Sequence, residues 1–204
     1  MVGNHTKASR RAFIKGVIAS GAVASSSGFL LSGIVGCSPD KVAVGTIERL
    51  VSLNVNGKVR RVDVLPQETL AMTLRYKLGL TGTKLGCDRG ECGACTILID
   101  EVPVYSCSTL THSVRNRTIR TIEGLASESG ELHPIQQAFI DELGPQCGFC
   151  TPGQIMSTVA LLQVNPNPTR EQVRQALSGN LCRCGAYDHY LNGVMRAAEE
   201  TSNA

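Results

Sequence analysis

Residues 86–96 have the sequence GCDRGECGACT. Its cysteines, Cys87, Cys92 and Cys95, have the spacing Cys-x4-Cys-x2-Cys, and Cys107 follows after eleven further residues. This spacing supplies four thiolate ligands to a 2Fe–2S cluster. The three glycines of the stretch let a loop take positive φ angles and approach the sulfurs closely. The stretch therefore predicts a loop that holds a diiron cluster.

Four more cysteines form a second set in two close pairs: Cys147, Cys150, Cys182 and Cys184. The first pair immediately precedes the sequence TPGQ, which predicts a helix with Thr151 as its N-cap, a proline at the first helical position and Gln154 closing a capping box. The positive end of that helix would lower thiol pKa values and stabilise anionic sulfur. We therefore expect the two pairs to converge on a second metal centre.

The spacing of the cysteines is also compatible with zinc or with disulfides. A tetrahedral zinc site takes four ligands and fits Cys-x2-Cys with a second close pair, so zinc could account for the second set alone. Disulfides would be permitted in an exported protein. The pairs of the second set are too close in sequence to close a large loop, however, so disulfides within them would stabilise the fold little. Ligation of clusters is the interpretation that covers both sets.

The composition excludes several other classes of function. Of the 204 residues, 42% are hydrophobic and 18% are charged, so the chain can bury a core. Only 4% are aromatic and tryptophan is absent, which argues against a surface that stacks nucleic-acid bases. Four of the 20 basic residues lie before Asp40, which leaves 16 basic against 17 acidic residues in the remainder. We therefore expect no nucleic-acid partner.

Residues 1–45 are predicted to be an export signal and a linker. Arg10 and Arg11, with Phe13 shortly after them, resemble a bacterial twin-arginine signal, and residues 16–36 form a weakly apolar stretch rich in serine and glycine. Such signals export proteins that are already folded, which suits a protein loaded with clusters before export. The alternative is an uncleaved helix that anchors the chain to a membrane. We expect a periplasmic location.

Cys37 stands alone near the end of this segment. It follows the sequence IVG, so it resembles the cysteine of a lipobox, which becomes the lipidated N-terminus of a mature lipoprotein. It is equally consistent with an incidental residue near an ordinary cleavage site. A lipid on Cys37 would hold the protein at a membrane surface, whereas simple cleavage would release it. Membrane contact is expected only through the signal or through this lipid.

The remainder of the chain changes from strands to helices near residues 124–132. In residues 46–124, two β-rich runs flank Asn56-Gly57, which is a strong signal for a hairpin, and three further strands and one short helix follow. In residues 125–204 the hydrophobic spacing predicts four short helices. The predicted fold class is therefore α+β, with a strand-rich domain followed by a helical one.

Three motifs together resemble the iron–sulfur subunit of the xanthine oxidase family of molybdenum hydroxylases. They are GCDRGECGACT at residues 86–96, QCGFCTPG at 146–153 and GNLCRCG at 179–185. The resemblance implies an N-terminal β-grasp domain, like a plant-type ferredoxin, and a C-terminal four-helix domain, each with one 2Fe–2S cluster. The implied ligands are Cys87, Cys92, Cys95 and Cys107 for the first cluster and Cys147, Cys150, Cys182 and Cys184 for the second.

The resemblance also implies contact with a molybdenum cofactor on another chain. In the family, the glutamine before the first cysteine of the helical domain hydrogen-bonds the pterin, and Gln146 has that position. Cys184 would lie beside the same pterin, so electrons would enter the chain there. The implied partners are a large molybdopterin-binding subunit and an FAD-binding subunit or an external electron acceptor. No catalytic residue is expected on this chain.

The implied function is electron transfer in an exported molybdenum-dependent oxidoreductase. The motifs and the signal most resemble those of periplasmic aldehyde oxidoreductases, so the expected reaction is oxidation of an aldehyde to a carboxylate. N-heterocycle hydroxylases, xanthine dehydrogenase and carbon monoxide dehydrogenase use the same kind of subunit and stay open as alternatives. Outside this enzyme class, a free-standing ferredoxin-like electron carrier or a binding module stabilised by zinc or disulfides would share parts of the pattern.

Overall fold

The structure, a computed structural model, describes Lys15 and residues 49–202. The predicted twin-arginine pair, the apolar stretch after it and Cys37 lie outside the described residues. Internal contacts group Ile47–Ala204 into one compact unit, and this unit contains both sets of four cysteines. The domain limits that we placed at residues 46–124 and 125–204 stay a prediction.

A five-stranded mixed sheet forms the first half of this unit, in the order β2-β1-β5-β3-β4. Its strands are β1 (Leu50–Val55), β2 (Lys58–Asp63), β3 (Thr96–Ile99), β4 (Val102–Tyr105) and β5 (Thr118–Arg120). Neighbouring strands are antiparallel except β1 and β5, which are parallel. The sheet has the β-grasp arrangement predicted for the N-terminal half.

The hairpin between β1 and β2 turns at Asn56 and Gly57, whose φ angles are 52° and 73°. Two consecutive positive φ angles define a type I′ turn, which Asn-Gly adopts readily and which matches the twist of the two strands. On β1, Val51, Leu53 and Val55 alternate inward and are buried. The sequence pattern therefore predicts both the turn and the face of β1 that forms the core.

The short helix predicted after β2 is present, and it changes from α-helical to π-helical along its length. It is α1 (Leu70–Met72), which starts after Thr69 and continues as a π-helical turn, Thr73–Lys77. The Thr69 side chain caps it by accepting a hydrogen bond from the third helical N–H. The segment ends before Gly79, whose φ of 70° cannot continue a right-handed helix. The long loop that follows carries the first cysteines.

Four helices form the second half, as predicted: α2 (Pro134–Asp141), α3 (Thr151–Val164), α4 (Arg170–Ala176) and α5 (Tyr187–Ser202). Capping boxes start α2 and α4, formed by His133 with Gln136 and by Thr169 with Gln172. Each box satisfies backbone N–H groups that the first turn of a helix leaves unpaired. These caps fix where the two helices begin.

The predicted N-cap of α3 is wrong. Cys150 takes the N-cap position, with φ −83° and ψ −15° and no capping bond from its side chain. The hydroxyl of Thr151 instead pairs with the Tyr190 hydroxyl at 2.8 Å, and the Gln154 amide donates to the Asn180 carbonyl at 3.0 Å. Because both side chains find partners on other elements, neither is left to form the capping box.

The sheet packs against the helices, and one apolar cluster contains residues from both. Leu98 of β3 lies in the same apolar cluster as buried residues of all four helices, including Phe139, Met156, Val173 and Val194. Helix α3 packs directly against β3. This contact holds the loop before β3 close to the start of α3. Within residues 49–202, no helix is both long enough and apolar enough to cross a membrane.

Candidate metal centres

The first quartet of cysteines lies in the loop before β3 and in the turn after β4. Two of its sulfurs are buried and two are partly exposed: Cys95 and Cys107 inside, and Cys87 and Cys92 outside. The backbone N–H of Gly90 donates to the Cys107 sulfur, and that of Glu91 donates to the Cys87 sulfur, each at 3.3 Å. N–H groups that point at sulfur stabilise its anionic form, which is the form that binds iron.

The thiols of the first quartet differ in acidity. Burial would raise the pKa of Cys87, but the N–H groups of Glu91 and two neighbours point at its sulfur and lower the pKa to about 6. For Cys95, burial and the adjacent Cys107 thiol raise the pKa to about 12. Cys87 is therefore a thiolate near neutral pH, whereas Cys95 becomes one only when a metal replaces its proton.

The second quartet has the same division into inner and outer sulfurs. Cys150 and Cys182 are buried, whereas Cys147 and Cys184 are exposed. Burial raises the pKa of the Cys150 thiol to about 11, and the backbone N–H of Phe149 lowers the pKa of the Cys147 thiol. Each quartet therefore presents one pair of sulfurs to the surface and one pair to the core.

The sulfurs of each quartet approach one another in two pairs. The thiols within hydrogen-bonding reach are Cys87 with Cys92, Cys95 with Cys107, Cys147 with Cys184, and Cys150 with Cys182. Within residues 49–202, no three His, Cys, Asp or Glu side chains are grouped so that they could hold a single metal ion, and these eight cysteines form no disulfide. Two pairs per quartet fit two irons with two terminal thiolates each.

The loops that carry the two quartets are hydrogen-bonded to each other. The Leu181 N–H donates to the Cys92 carbonyl at 2.9 Å, and the Asn180 side-chain amide donates to the Gly93 carbonyl at 3.0 Å. Leu181 directly precedes Cys182 in the chain. One hydrogen bond therefore joins a cysteine of the first quartet to the residue next to a cysteine of the second.

Comparison with known families gives the same two-part division. Residues 53–120 match the model of a 2Fe-2S iron-sulfur cluster binding domain, and residues 121–195 match that of a [2Fe-2S] binding domain. The chain is 48% identical over 153 residues to a subunit of nicotinate dehydrogenase from Pseudomonas putida, a match that covers 75% of this chain and 97% of that one. The chain belongs to the iron–sulfur subunits of the xanthine oxidase family of molybdenum hydroxylases.

Two further relatives of this iron–sulfur subunit support the assignment. The chain is 44% identical over 165 residues to the aldehyde oxidoreductase iron-sulfur-binding subunit PaoA of Escherichia coli, covering 74% of this chain and 72% of that one. The solved structure of quinoline 2-oxidoreductase from Pseudomonas putida 86 matches with a TM-score of 0.72 and 41% identity, over 76% of this chain and 96% of that one. The predicted family, the α+β fold and the two 2Fe–2S clusters are confirmed, and in this family the molybdopterin and the FAD typically lie on partner subunits.

The iron–sulfur subunit presents its predicted pterin contacts at the surface. Gln146 and the adjacent Cys147 are exposed, and the exposed Cys184 lies within hydrogen-bonding reach of Cys147. Both Gln146 and Cys184 are therefore accessible to another subunit. Their contact with a pterin stays a prediction.

The sequence does not predict the hydrogen bonds that two residues make near the second quartet. Asn180 is buried, and its side chain both donates to the Gly93 carbonyl and accepts from the Ser157 hydroxyl. The hydroxyl of Tyr190 lies 3.5 Å from the Cys150 sulfur, and burial raises the pKa of this tyrosine. Apolar spacing marks Tyr190 as a helix residue, but it carries no information about the partner of a hydroxyl group.

Proposed function

We propose that this subunit relays electrons from a molybdopterin-binding large subunit to an FAD-binding subunit or an external acceptor. The observation that carries the proposal is the hydrogen bond from Leu181 to Cys92, because it joins the loops of the two quartets. When bound, the 2Fe–2S clusters supply one-electron acceptor sites. The chain holds their sulfurs, points N–H groups at them and keeps the inner pairs away from water.

Exposed apolar side chains near the second quartet support docking of the large subunit there. Four large apolar residues within four positions of its cysteines are exposed, and we call them the apolar rim: Leu143, Phe149, Leu181 and Tyr187. Exposed apolar groups mark protein interaction sites where they form a continuous patch, and Leu181 and Tyr187 line one surface cavity together. The outer sulfurs of Cys147 and Cys184 are exposed in the same part of the chain. Electrons would therefore enter at the second quartet and leave at the first.

The hydrogen bond between the loops is tested by changing Leu181. Proline at this position has no N–H to donate to the Cys92 carbonyl, whereas alanine keeps the donor and removes only the side chain. In the assembled enzyme, we expect Leu181→Pro to lengthen the interval between reduction of the second cluster and reduction of the first, and Leu181→Ala, which keeps the N–H, to leave this interval as in the wild type. Rapid-freeze electron paramagnetic resonance (EPR) after mixing with a reducing substrate measures both clusters. Equal rates in the two variants, with both clusters loaded, would exclude this bond as the route.

Aldehydes are the proposed substrate class of the assembled enzyme. Oxidation of an aldehyde by water gives a carboxylic acid, two electrons and two protons, and the relay carries the electrons one at a time. The likeness to the PaoA subunit supports this choice, together with the resemblance of the motifs and the signal. Hydroxylation of an N-heteroaromatic ring is the second candidate, and the 48% identity to the nicotinate dehydrogenase chain favours it.

The two substrate classes are separated with the purified complex. We expect benzaldehyde to bleach the visible absorbance of the clusters under anaerobic conditions, and nicotinate to leave it unchanged. Dithionite serves as the positive control, because it reduces the clusters without a substrate. Bleaching by nicotinate alone would replace the aldehyde proposal with the heteroaromatic one.

The same proposal includes export of the folded, cluster-loaded subunit by a twin-arginine signal. It is supported by Arg10, Arg11 and the apolar residues 16–36 that follow them. Replacing both arginines by lysine keeps the charge and should leave the cluster-loaded protein in the cytoplasm, as cell fractionation would show. Mass spectrometry of the mature N-terminus identifies the cleavage site and any lipid on Cys37. Unchanged location of the lysine variant would contradict a twin-arginine signal.

A further inference from the structure

A buried tyrosine hydroxyl lies between a sulfur of the second quartet and the start of α3. Tyr190 is 1% exposed, and its hydroxyl oxygen lies 3.5 Å from the Cys150 sulfur and 2.8 Å from the Thr151 hydroxyl oxygen. Its ring packs against Phe139, with 5.1 Å between the ring centroids, and against Gly144. A buried hydroxyl needs a hydrogen-bond partner, and these two polar atoms provide it.

The direction of both hydrogen bonds is decided once Cys150 is a cluster ligand. An iron-bound sulfur carries no proton, so it can only accept, and the Tyr190 hydroxyl is the group placed to donate to it. The oxygen of Tyr190 is then available to accept from the Thr151 hydroxyl. The three groups form one chain of donors, from Thr151 through Tyr190 to the Cys150 sulfur.

This chain of donors affects the two redox states of the cluster unequally. Reduction adds one electron to an anionic cluster, and no proton needs to be taken up. A hydrogen bond to a ligand sulfur stabilises the more negative, reduced state more than the oxidised state. We propose that Tyr190 raises the reduction potential of the second cluster by donating a hydrogen bond to Cys150. Tyr190 acts through Cys150, so it is a positioning residue of the relay.

The hydrogen-bond donors described at the first quartet differ from Tyr190, because they belong to the backbone. Its sulfurs at Cys87 and Cys107 accept from the backbone N–H groups of Glu91 and Gly90, which every residue except proline would supply. Tyr190 is instead a donor that one substitution can remove. A higher potential at the second cluster makes it a better acceptor for electrons that arrive from the large subunit.

Tyr190→Phe removes the hydroxyl and keeps the ring that packs on Phe139. In the assembled, cluster-loaded enzyme, we expect the equilibrium constant for reduction of the second cluster to fall about tenfold, which corresponds to about 59 mV for one electron. The potential of the first cluster should stay at its wild-type value. Redox titration followed by EPR measures both potentials in one sample.

Tyr187→Phe is the matched control. It removes a hydroxyl from the same helix, but the partner of that hydroxyl is the Cys182 N–H at 3.0 Å rather than a sulfur. We expect it to move the second potential much less than Tyr190→Phe does. Thr151→Val should lower the potential less than Tyr190→Phe, and Thr151→Ser should restore it. Combining Thr151→Val with Tyr190→Phe should add nothing, because Thr151 acts through Tyr190.

The inference would be overturned if Tyr190→Phe left the reduction potential of the second cluster unchanged, or if it shifted the potentials of both clusters equally. If Tyr190→Phe fails to load its clusters, equal potentials in Thr151→Val and Thr151→Ser would overturn it instead. The inference rests on the relay proposed for this subunit, but the two fail differently. A wild-type protein without two cluster signals would refute the relay, whereas two signals that are insensitive to Tyr190 and Thr151 would refute only the role of Tyr190.

Discussion

Each quartet combines two sulfurs that the fold buries with two that it leaves near solvent. Two of the buried thiols are hard to ionise, because burial raises the pKa of Cys95 to about 12 and that of Cys150 to about 11. A thiol with such a pKa loses its proton only when iron takes its place. Cluster binding and the final packing of each loop are therefore coupled at single residues.

Single cysteine substitutions should separate the two clusters. The wild-type chain is expected to hold about four irons and about four labile sulfides, since each 2Fe–2S cluster has two of each. Cys95→Ser should remove one of two distinguishable EPR signals and about half of the iron, and Cys182→Ser should remove the other, because each is the predicted inner ligand of a different cluster. Cys37→Ser is the control, and it should keep both signals. Loss of both signals in each single variant would count against separate sites.

At the scale of elements, α3 is the helix that brings the two loops together. It packs on β3, and its first turn passes so close to the first loop that a side chain at Gly153 would overlap the Gly93 carbonyl oxygen. Farther along the helix, the Ser157 hydroxyl donates to Asn180, which in turn holds Gly93. One face of α3 therefore fixes the loop before β3 and the loop after α4.

Gly153→Ala tests this close approach, because contact between the helix and the loop decides whether the substitution lowers or raises the free energy of unfolding. Within a helix, alanine is usually more stabilising than glycine, by up to about 1 kcal/mol. Here the added methyl group must displace the Gly93 carbonyl, so we expect a loss of about 1–3 kcal/mol in the free energy of unfolding. Urea unfolding of the cluster-loaded protein, followed by circular dichroism, measures the change. A gain in stability would show that the helix and the loop are not in contact.

At the scale of the whole molecule, the apolar rim is the surface proposed to meet the large subunit. Phe149 is 45% exposed and lies between Cys147 and Cys150 in the chain, so its ring would be buried by a partner that covers the second quartet. A carboxylate placed in such an interface would lose its hydration without gaining a counter-charge. The rim is therefore the place where one charge should prevent assembly.

Phe149→Asp should abolish co-purification of the molybdopterin subunit and leave the iron content of this chain unchanged. Val59→Asp is the matched control: Val59 is 74% exposed on β2, in the other half of the chain, and the variant should assemble normally. Size-exclusion chromatography with molybdenum and iron analysis distinguishes the two. A complete complex from Phe149→Asp would exclude the apolar rim as the docking surface.

The predicted ligands and the local turns can both be read from the sequence because they depend on spacing along the chain. The Cys-x4-Cys-x2-Cys pattern and the Asn56-Gly57 hairpin each involve residues a few positions apart, so the same short stretch contains both the groups and their geometry. The family and the two 2Fe–2S clusters follow from the same motifs. Export, the aldehyde substrate and the pterin contact of Gln146 stay predictions.

The partners of the polar side chains near the second quartet follow only from the tertiary structure. Thr151 and Gln154 read as a capping box in sequence, yet they bond to Tyr190 and Asn180, which lie 39 and 26 positions away. The link from Leu181 to Cys92 likewise joins residues far apart in the chain. Such contacts form because α3 packs on β3, and the free energy of that packing belongs to the assembled core rather than to any local stretch of sequence.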